Sequence, residues 1–192
     1  MRTHPTIHDH GYWQGIEACD HHSHDSNLAS SLMKFLKNEN AQSVVDFGCG
    51  MGNYVKTFKE NNLNASGFDG NPNTPELTNN LCKVLDISVP VKFEEPFDWV
   101  LSFEVGEHLP KQFEDTFINN LHNNNKYGII LSWAVKGQGG YGHFNEQSND
   151  YIKSKICDLG YINDIKTENI LRNDATLNWF KNTIMVFRKL SV

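Results

Sequence analysis

An apolar pentapeptide, Ser43-Val44-Val45-Asp46-Phe47, runs straight into Gly48-Cys49-Gly50-Met51-Gly52, and a helical pattern resumes at once over residues 53–61. A short apolar run ending in glycines suits a buried parallel strand. Glycines in the turn let the chain reverse tightly and let a ligand approach the backbone. Strand, glycine turn and helix in that order open a doubly wound α/β sheet. The spacing is G-x-G-x-G rather than the G-x-G-x-x-G of dinucleotide binders, and Asp46 stands two positions before the first glycine. That carboxylate repels a pyrophosphate and suits a ligand carrying an ammonium or sulfonium group.

The rest of the chain keeps the alternation. Leu28, Leu32, Phe35 and Leu36 share one helical face, with Ser26 or Asn27 as the expected N-cap. Strands are expected at residues 64–68, 83–85, 97–103 and 128–134, and helices at 112–123 and 149–159. The tail offers strands at 161–165 and 184–188 with a polar insertion between them. Strands alternating with helices predict a mostly parallel sheet covered on both faces, and one α/β domain spanning residues 1–192. Residues 1–26 form a polar leader that holds six of the nine histidines: His4, His8, His10, His21, His22 and His24.

Composition narrows the function classes. Hydrophobic residues at 39% and charged residues at 21% are globular values. A chain of 192 residues buries enough core to fold without disulfide or metal staples. No apolar stretch approaches a membrane span and no signal peptide opens the chain, which counts against membrane and secreted proteins. Cys19, Cys49, Cys82 and Cys157 form no C-x-x-C pair and read as reduced thiols of a cytoplasmic protein. Net charge is −6, and only Arg2, Arg172 and Arg188 are arginines. The absence of a basic run counts against a nucleic-acid partner.

The Asp46–Gly52 segment resembles the first motif of class I S-adenosylmethionine-dependent methyltransferases. The resemblance covers roughly residues 27–135. It implies a Rossmann-like sheet of seven strands, S-adenosylmethionine as cofactor and S-adenosylhomocysteine as product. Phe47, Gly48, Cys49 and Gly50 would then follow the cofactor along the turn. Asp69 lies 17 residues past Gly52, in GFDGNP at the end of the second of these strands, where a carboxylate accepts from both ribose hydroxyls; Gly70 and Asn71 accompany it. Asp86, in VLDIS, falls where the family contacts the adenine amino group, with Ile87 against the ring. Taken singly, Asp69 also reads as a turn residue and Asp86 as a helix N-cap. Three carboxylates at three successive strand ends point to one site.

After the next strand comes Ser102-Phe103-Glu104-Val105-Gly106-Glu107-His108-Leu109-Pro110. In the family this loop passes the transferable methyl, with Phe103 and Glu104 near the cofactor and Glu107 and His108 facing the acceptor. A later glycine-rich run, Gly137 to Gln147, carries His143 and resembles stand-alone bacterial and phage methyltransferases with G-x-G-H-x-N-E at that place. Three readings compete. His143 or His108 acts as general base; or Glu104, Glu107, His108 and His143 hold a divalent metal; or Glu104 caps a turn and His143 clasps the loop. The metal reading, which resembles the small-RNA 2′-O-methyltransferases, is the less favoured functional one, because their further histidine-rich motif and basic surface are missing.

The leader's histidines have metal-site chemistry but sit too close in sequence for good geometry. The leader is instead expected to fold over the cofactor, anchored by Tyr12 and Trp13, with His24 and Asp25 near the sulfonium. The expected reaction is methyl transfer to an oxygen or nitrogen of a small-molecule or sugar acceptor. RNA methylation and non-catalytic cofactor binding are the alternatives.

Overall fold

The computed structural model describes residues 4–190; Arg2 lies outside them. A seven-stranded sheet with order β5-β4-β3-β6-β7-β9-β8 forms the centre. Its strands are β3 (Ser43–Phe47), β4 (Asn64–Asp69), β5 (Lys83–Val84), β6 (Phe97–Ser102), β7 (Asn125–Leu131), β8 (Tyr161–Asn163) and β9 (Met185–Lys189). All neighbours from β5 to β7 are parallel, whereas β9 runs antiparallel to both β7 and β8. This is the expected Rossmann-like α/β class.

Alternation along each strand feeds two separate cores. Val44, Leu101 and Ile130 face one side with Leu28, Leu32, Phe58 and Leu171, while Val45, Val100 and Ile129 face the other with Phe117, Trp133 and Phe187. Strands buried on both faces need no polar face, which is why they read as near-continuous apolar runs. Helices α1 (Ser26–Asn38) and α2 (Asn53–Glu60) cover the first face, and α4 (Glu114–Asn123) and α5 (Asn149–Cys157) the second; the short α3 (Thr74–Leu77) leads into β5.

Several boundaries differ from expectation. Strand β7 starts three residues before residue 128 because Asn125 pairs with Phe97 ahead of a register shift, and it ends at Leu131. The tail's polar insertion is helical: Ile165 opens α6 (Ile165–Asp174) rather than closing a strand, and α7 (Phe180–Thr183) follows. Only Glu168 and Leu171 are buried in α6, so its charged exposed face masks the helical period. The cap of α1 is Asp25, not Ser26 or Asn27. One Asp25 oxygen accepts from Leu28 N–H at 3.0 Å and the other from the amides of Thr176 and Leu177 at 2.6 and 2.8 Å. Asp25 therefore ties α1 to the segment before α7, and the expectation that it approaches a sulfonium is corrected.

The leader forms a two-stranded hairpin, β1 (Thr6–Ile7) with β2 (Trp13–Gln14), then a 3-10 turn over Ile16–His21. Among the described residues no helix is long and apolar enough to cross a membrane.

Candidate active site

Strand order reverses beside β3: the chain runs outward through β4 to β5, then returns to β6 on the other flank. Ligands of open α/β sheets sit beyond the carboxyl ends of strands at such a point. A cavity of about 400 Å³ opens there. Asp46, Asp69 and Asp86 all line it, and among the described residues no lysine or arginine does.

Asp46 is 3% exposed, and its carboxylate accepts no hydrogen bond from any described residue. Burial pushes its pKa well above the ordinary carboxylate range, with Cys82 and Asp69 adding to the effect. A buried carboxylate without a partner is costly, and a cation in the cavity would relieve it. Asp69 accepts from Gly50 N–H through one oxygen and Asn71 N–H through the other, both at 2.9 Å. It thus holds the glycine turn against the end of β4 and keeps further lone pairs for a ligand. Gly50 has φ +51°, and a Cβ there would lie 2.7 Å from the His22 ring. Asp86 meets His10 Nδ1 at 2.6 Å, and its other oxygen accepts from Ser88 N–H and Oγ at 2.9 and 2.6 Å. Burial alone would raise the Asp86 pKa, but the Ser88 and His10 contacts bring it below the usual value.

Of the other residues expected to touch a cofactor, Gly48, Cys49, Gly70, Asn71, Ile87, Phe103 and Glu104 line the same cavity. Phe47 does not. Its side chain is fully buried beside Phe68 and Phe93, because Asp46 and not Phe47 has the cavity-facing place at the strand end. Cavity-lining residues the sequence did not single out include Tyr54, Gln138 and Phe180.

Glu104 adopts φ +51°, a left-handed conformation uncommon outside glycine and asparagine. Its amide donates to Ser132 Oγ at 2.8 Å, and its carboxylate accepts from Gln138 Nε2 at 2.6 Å and Thr183 Oγ1 at 3.2 Å. Burial raises its pKa despite those donors.

Behind this wall, one donor atom each of Glu107, His108 and His143 lies within 4.8 Å of the others. Glu107 is 0% exposed and neither oxygen has a hydrogen-bond partner of ordinary geometry. Burial, reinforced by the Glu104 charge, lifts its pKa well above the normal range. His108 Nδ1 lies 3.1 Å from the Gly142 carbonyl oxygen, which fixes its proton there. Burial, then the neighbouring His143, lowers the His108 pKa to about 4, so the ring is neutral at neutral pH. His143 Nδ1 pairs with Glu146 Oε1 at 3.0 Å. The same Glu146 carboxylate also accepts from the Gly137 and Gly139 amides, both at 2.7 Å, and so organises the glycine loop. Both imidazoles therefore engage Nδ1, and among the described residues Nε2 of each is left without a hydrogen bond and keeps its lone pair. Glu146 was legible in the sequence only as part of the loop motif, since nothing there assigns it a partner.

The leader closes over the cavity. Tyr12 packs on Gly70, Asn71 Nδ2 donates to the Gly15 carbonyl at 2.9 Å, and Tyr141 Oη donates to the Pro5 carbonyl at 2.9 Å. Trp13 stands edge-on to His108 with ring centroids 5.2 Å apart.

No curated protein matches the chain. Solved structures with a similar fold include magnesium protoporphyrin IX methyltransferase from Synechocystis PCC 6803 with bound S-adenosylhomocysteine, at 16% identity and a TM-score of 0.64 over 84% of this chain and 82% of that one. The methyltransferase domain of bacterial Hen1 aligns at 18% identity and a TM-score of 0.58 over 85% and 97%. The glycopeptide N-methyltransferase MtfA, complexed with S-adenosylmethionine, aligns at 8% identity and a TM-score of 0.60 over 85% and 94%. The sequence itself goes further than these likenesses of fold: residues 20–132, more than half of its length, match the family model described as a methyltransferase domain, and the chain belongs to that family.

Proposed function

We propose that this chain transfers the methyl group of S-adenosylmethionine to an oxygen or nitrogen of a small-molecule or sugar acceptor. One observation carries the cofactor assignment: three carboxylates at successive strand ends surround one cavity that no lysine or arginine among the described residues lines, and the innermost, Asp46, lacks a partner. That arrangement suits a cationic nucleoside and disfavours a phosphorylated one. Asp46 receives the ammonium group, Asp69 the ribose hydroxyls and Asp86 the adenine amino group, with Ile87 along the ring. Residues 1–26 act as a lid over one domain spanning the chain.

The cofactor brings a methyl group on an already activated sulfonium. The protein's share is to align the acceptor, exclude water and take a proton. His143 is the base. Glu146 holds the Nδ1 proton, so Nε2 is the atom that would take the acceptor's proton; with the cofactor bound, the acceptor's electron pair would form the bond to the methyl carbon while the pair of the broken sulfur–carbon bond stays on sulfur. Neutral His108 and Glu107 shape the acceptor side. A turnover assay with methyl-labelled cofactor and mixed metabolite extracts tests this. Labelled product and S-adenosylhomocysteine appear together if the reading is right, whereas cofactor binding without turnover identifies a non-catalytic binder.

A second reading rests on the closeness of Glu107, His108 and His143 together with the unpartnered Glu107 oxygens. These groups fit a divalent cation, which would orient a diol or a terminal ribose; a carboxylate and two imidazoles are ordinary ligands for manganese or zinc. Chelation decides. Under the base reading turnover survives it, while complete loss with specific rescue by magnesium or manganese transfers the role to a metal and favours an RNA terminus as acceptor.

A further inference from the structure

A methionine-derived cofactor carries a carboxylate beside its ammonium group, and the cavity offers no lysine or arginine among the described residues to meet it. The carboxylate therefore needs neutral donors. Tyr54, on the first turn of α2, lines the same cavity, and its side chain is more than nine-tenths buried. Among the described residues its hydroxyl has no hydrogen-bond partner of ordinary geometry and no acceptor; the backbone amide of Asp25 lies on its side. The ring is fixed by packing: Phe103 stands across it at 5.4 Å between centroids and His24 of the leader at 4.9 Å. A phenol held rigidly by its ring, buried, and without an acceptor is a donor awaiting a ligand atom.

Neighbouring charges locate the end of the ligand it meets. The Asp25 carboxylate accepts from three backbone amides, and no hydrogen bond joins it to the Tyr54 hydroxyl. Tyr54 and Asp46 both line this cavity, Asp46 at the end of β3 and Tyr54 on the helix that follows the glycine turn. In an α-amino acid the ammonium and carboxylate hang on one carbon and demand an acceptor and a donor side by side. Asp46 and Tyr54 are such a pair.

Building on the cofactor reading above, we infer that Tyr54 binds the amino-acid end of the cofactor, its hydroxyl donating to the α-carboxylate while Asp46 accepts from the ammonium. Substituting Phe removes the hydroxyl and keeps the ring that Phe103 and His24 pack against. The test is calorimetric titration of wild type and Tyr54→Phe with S-adenosylhomocysteine and with its decarboxylated analogue, which keeps the ammonium and lacks the carboxylate. The expected result is a loss of tenfold or more in affinity for S-adenosylhomocysteine with affinity for the analogue unchanged. Equal loss for both ligands, or loss for neither, overturns the assignment. Wild-type protein that binds neither ligand overturns the cofactor reading itself, a distinguishable failure. A melting temperature within a few degrees of wild type excludes misfolding of the variant as the cause.

Discussion

His143 has only one nitrogen to offer a substrate, because Glu146 occupies the other. His143→Ala is therefore expected to lower kcat/KM by about 10²-fold or more, the scale of a lost general base. Cofactor affinity, measured by calorimetry, should be unchanged, because the carboxylates proposed to hold the nucleoside stand on β3, β4 and the segment after β5. Some stability should go too. The ring is not solvent-facing, as its glycine setting suggests; it is 11% exposed and edge-on to His108 at 4.8 Å. A loss of about 1 kcal/mol in thermal unfolding fits the removal of a largely buried ring. Normal turnover with a large drop in melting temperature would reduce His143 to a structural clasp. On the cofactor side, Gly50→Val forces a branched residue into a left-handed backbone against His22, and Asp69→Ala frees the Gly50 and Asn71 amides. Each should weaken S-adenosylmethionine binding at least tenfold, about 1.4 kcal/mol. Unchanged affinity in both folded variants would remove the cofactor assignment.

Between helices, the junction of α4 and α5 hangs on one buried carboxylate. Glu114 accepts from Lys111 Nζ at 2.8 Å, Tyr151 Oη at 2.6 Å and Asn145 Nδ2 at 2.8 Å, and pairs with Lys155 at 3.1 Å. Burial alone would raise its pKa, but those partners hold it at about 2 against an ordinary 4.5. The folded state thus binds fewer protons than the unfolded one, and stability rises with pH through this window. The contribution is present above about pH 4.5 and disappears as pH falls through 2, roughly 3 kcal/mol before screening by solvent. Denaturant unfolding of Glu114→Gln should show a shallower acid slope than wild type; identical slopes would assign the acid sensitivity elsewhere. Apart from the neighbouring Lys111, this junction was not visible in the sequence, since it joins residues 31 to 41 positions apart. What was legible was local: the apolar runs that build β3, β6 and β7, the glycine turn, and a carboxylate at each strand end. Phe47 does not line the cavity, and motif position alone does not say which residue at a strand end faces it. Tyr54 stayed hidden because a tyrosine at a helical core spacing looks like packing. The tail helix α6 was missed because two buried positions leave almost no periodicity to read.

Across the whole molecule the strand ends of the sheet and the leader both line the site. The leader has its own link to a cofactor carboxylate: His10 sits at 2.6 Å from Asp86, the group assigned to adenine. The rest of the leader reaches both banks, touching Gly70 and Asn71 on one side and the Tyr141 loop on the other. Asp25 marks where cover ends and scaffold begins, because it caps α1 and anchors the segment before α7. A chain beginning at Asp25 should therefore keep its fold, with far-ultraviolet circular dichroism close to that of the full chain outside the missing hairpin. Its cofactor site should be open. A lid acts mainly on escape, so the dissociation rate of S-adenosylhomocysteine should rise at least tenfold while association changes little. Stopped-flow displacement measures both rates. Conversely, saturating S-adenosylhomocysteine should slow proteolytic cleavage within residues 8–24 of the full chain, since the segment is held closed over the ligand. A truncated chain that folds and releases the ligand at the full-length rate would show that the leader only decorates the rim, and that the three strand-end carboxylates hold the nucleoside unaided.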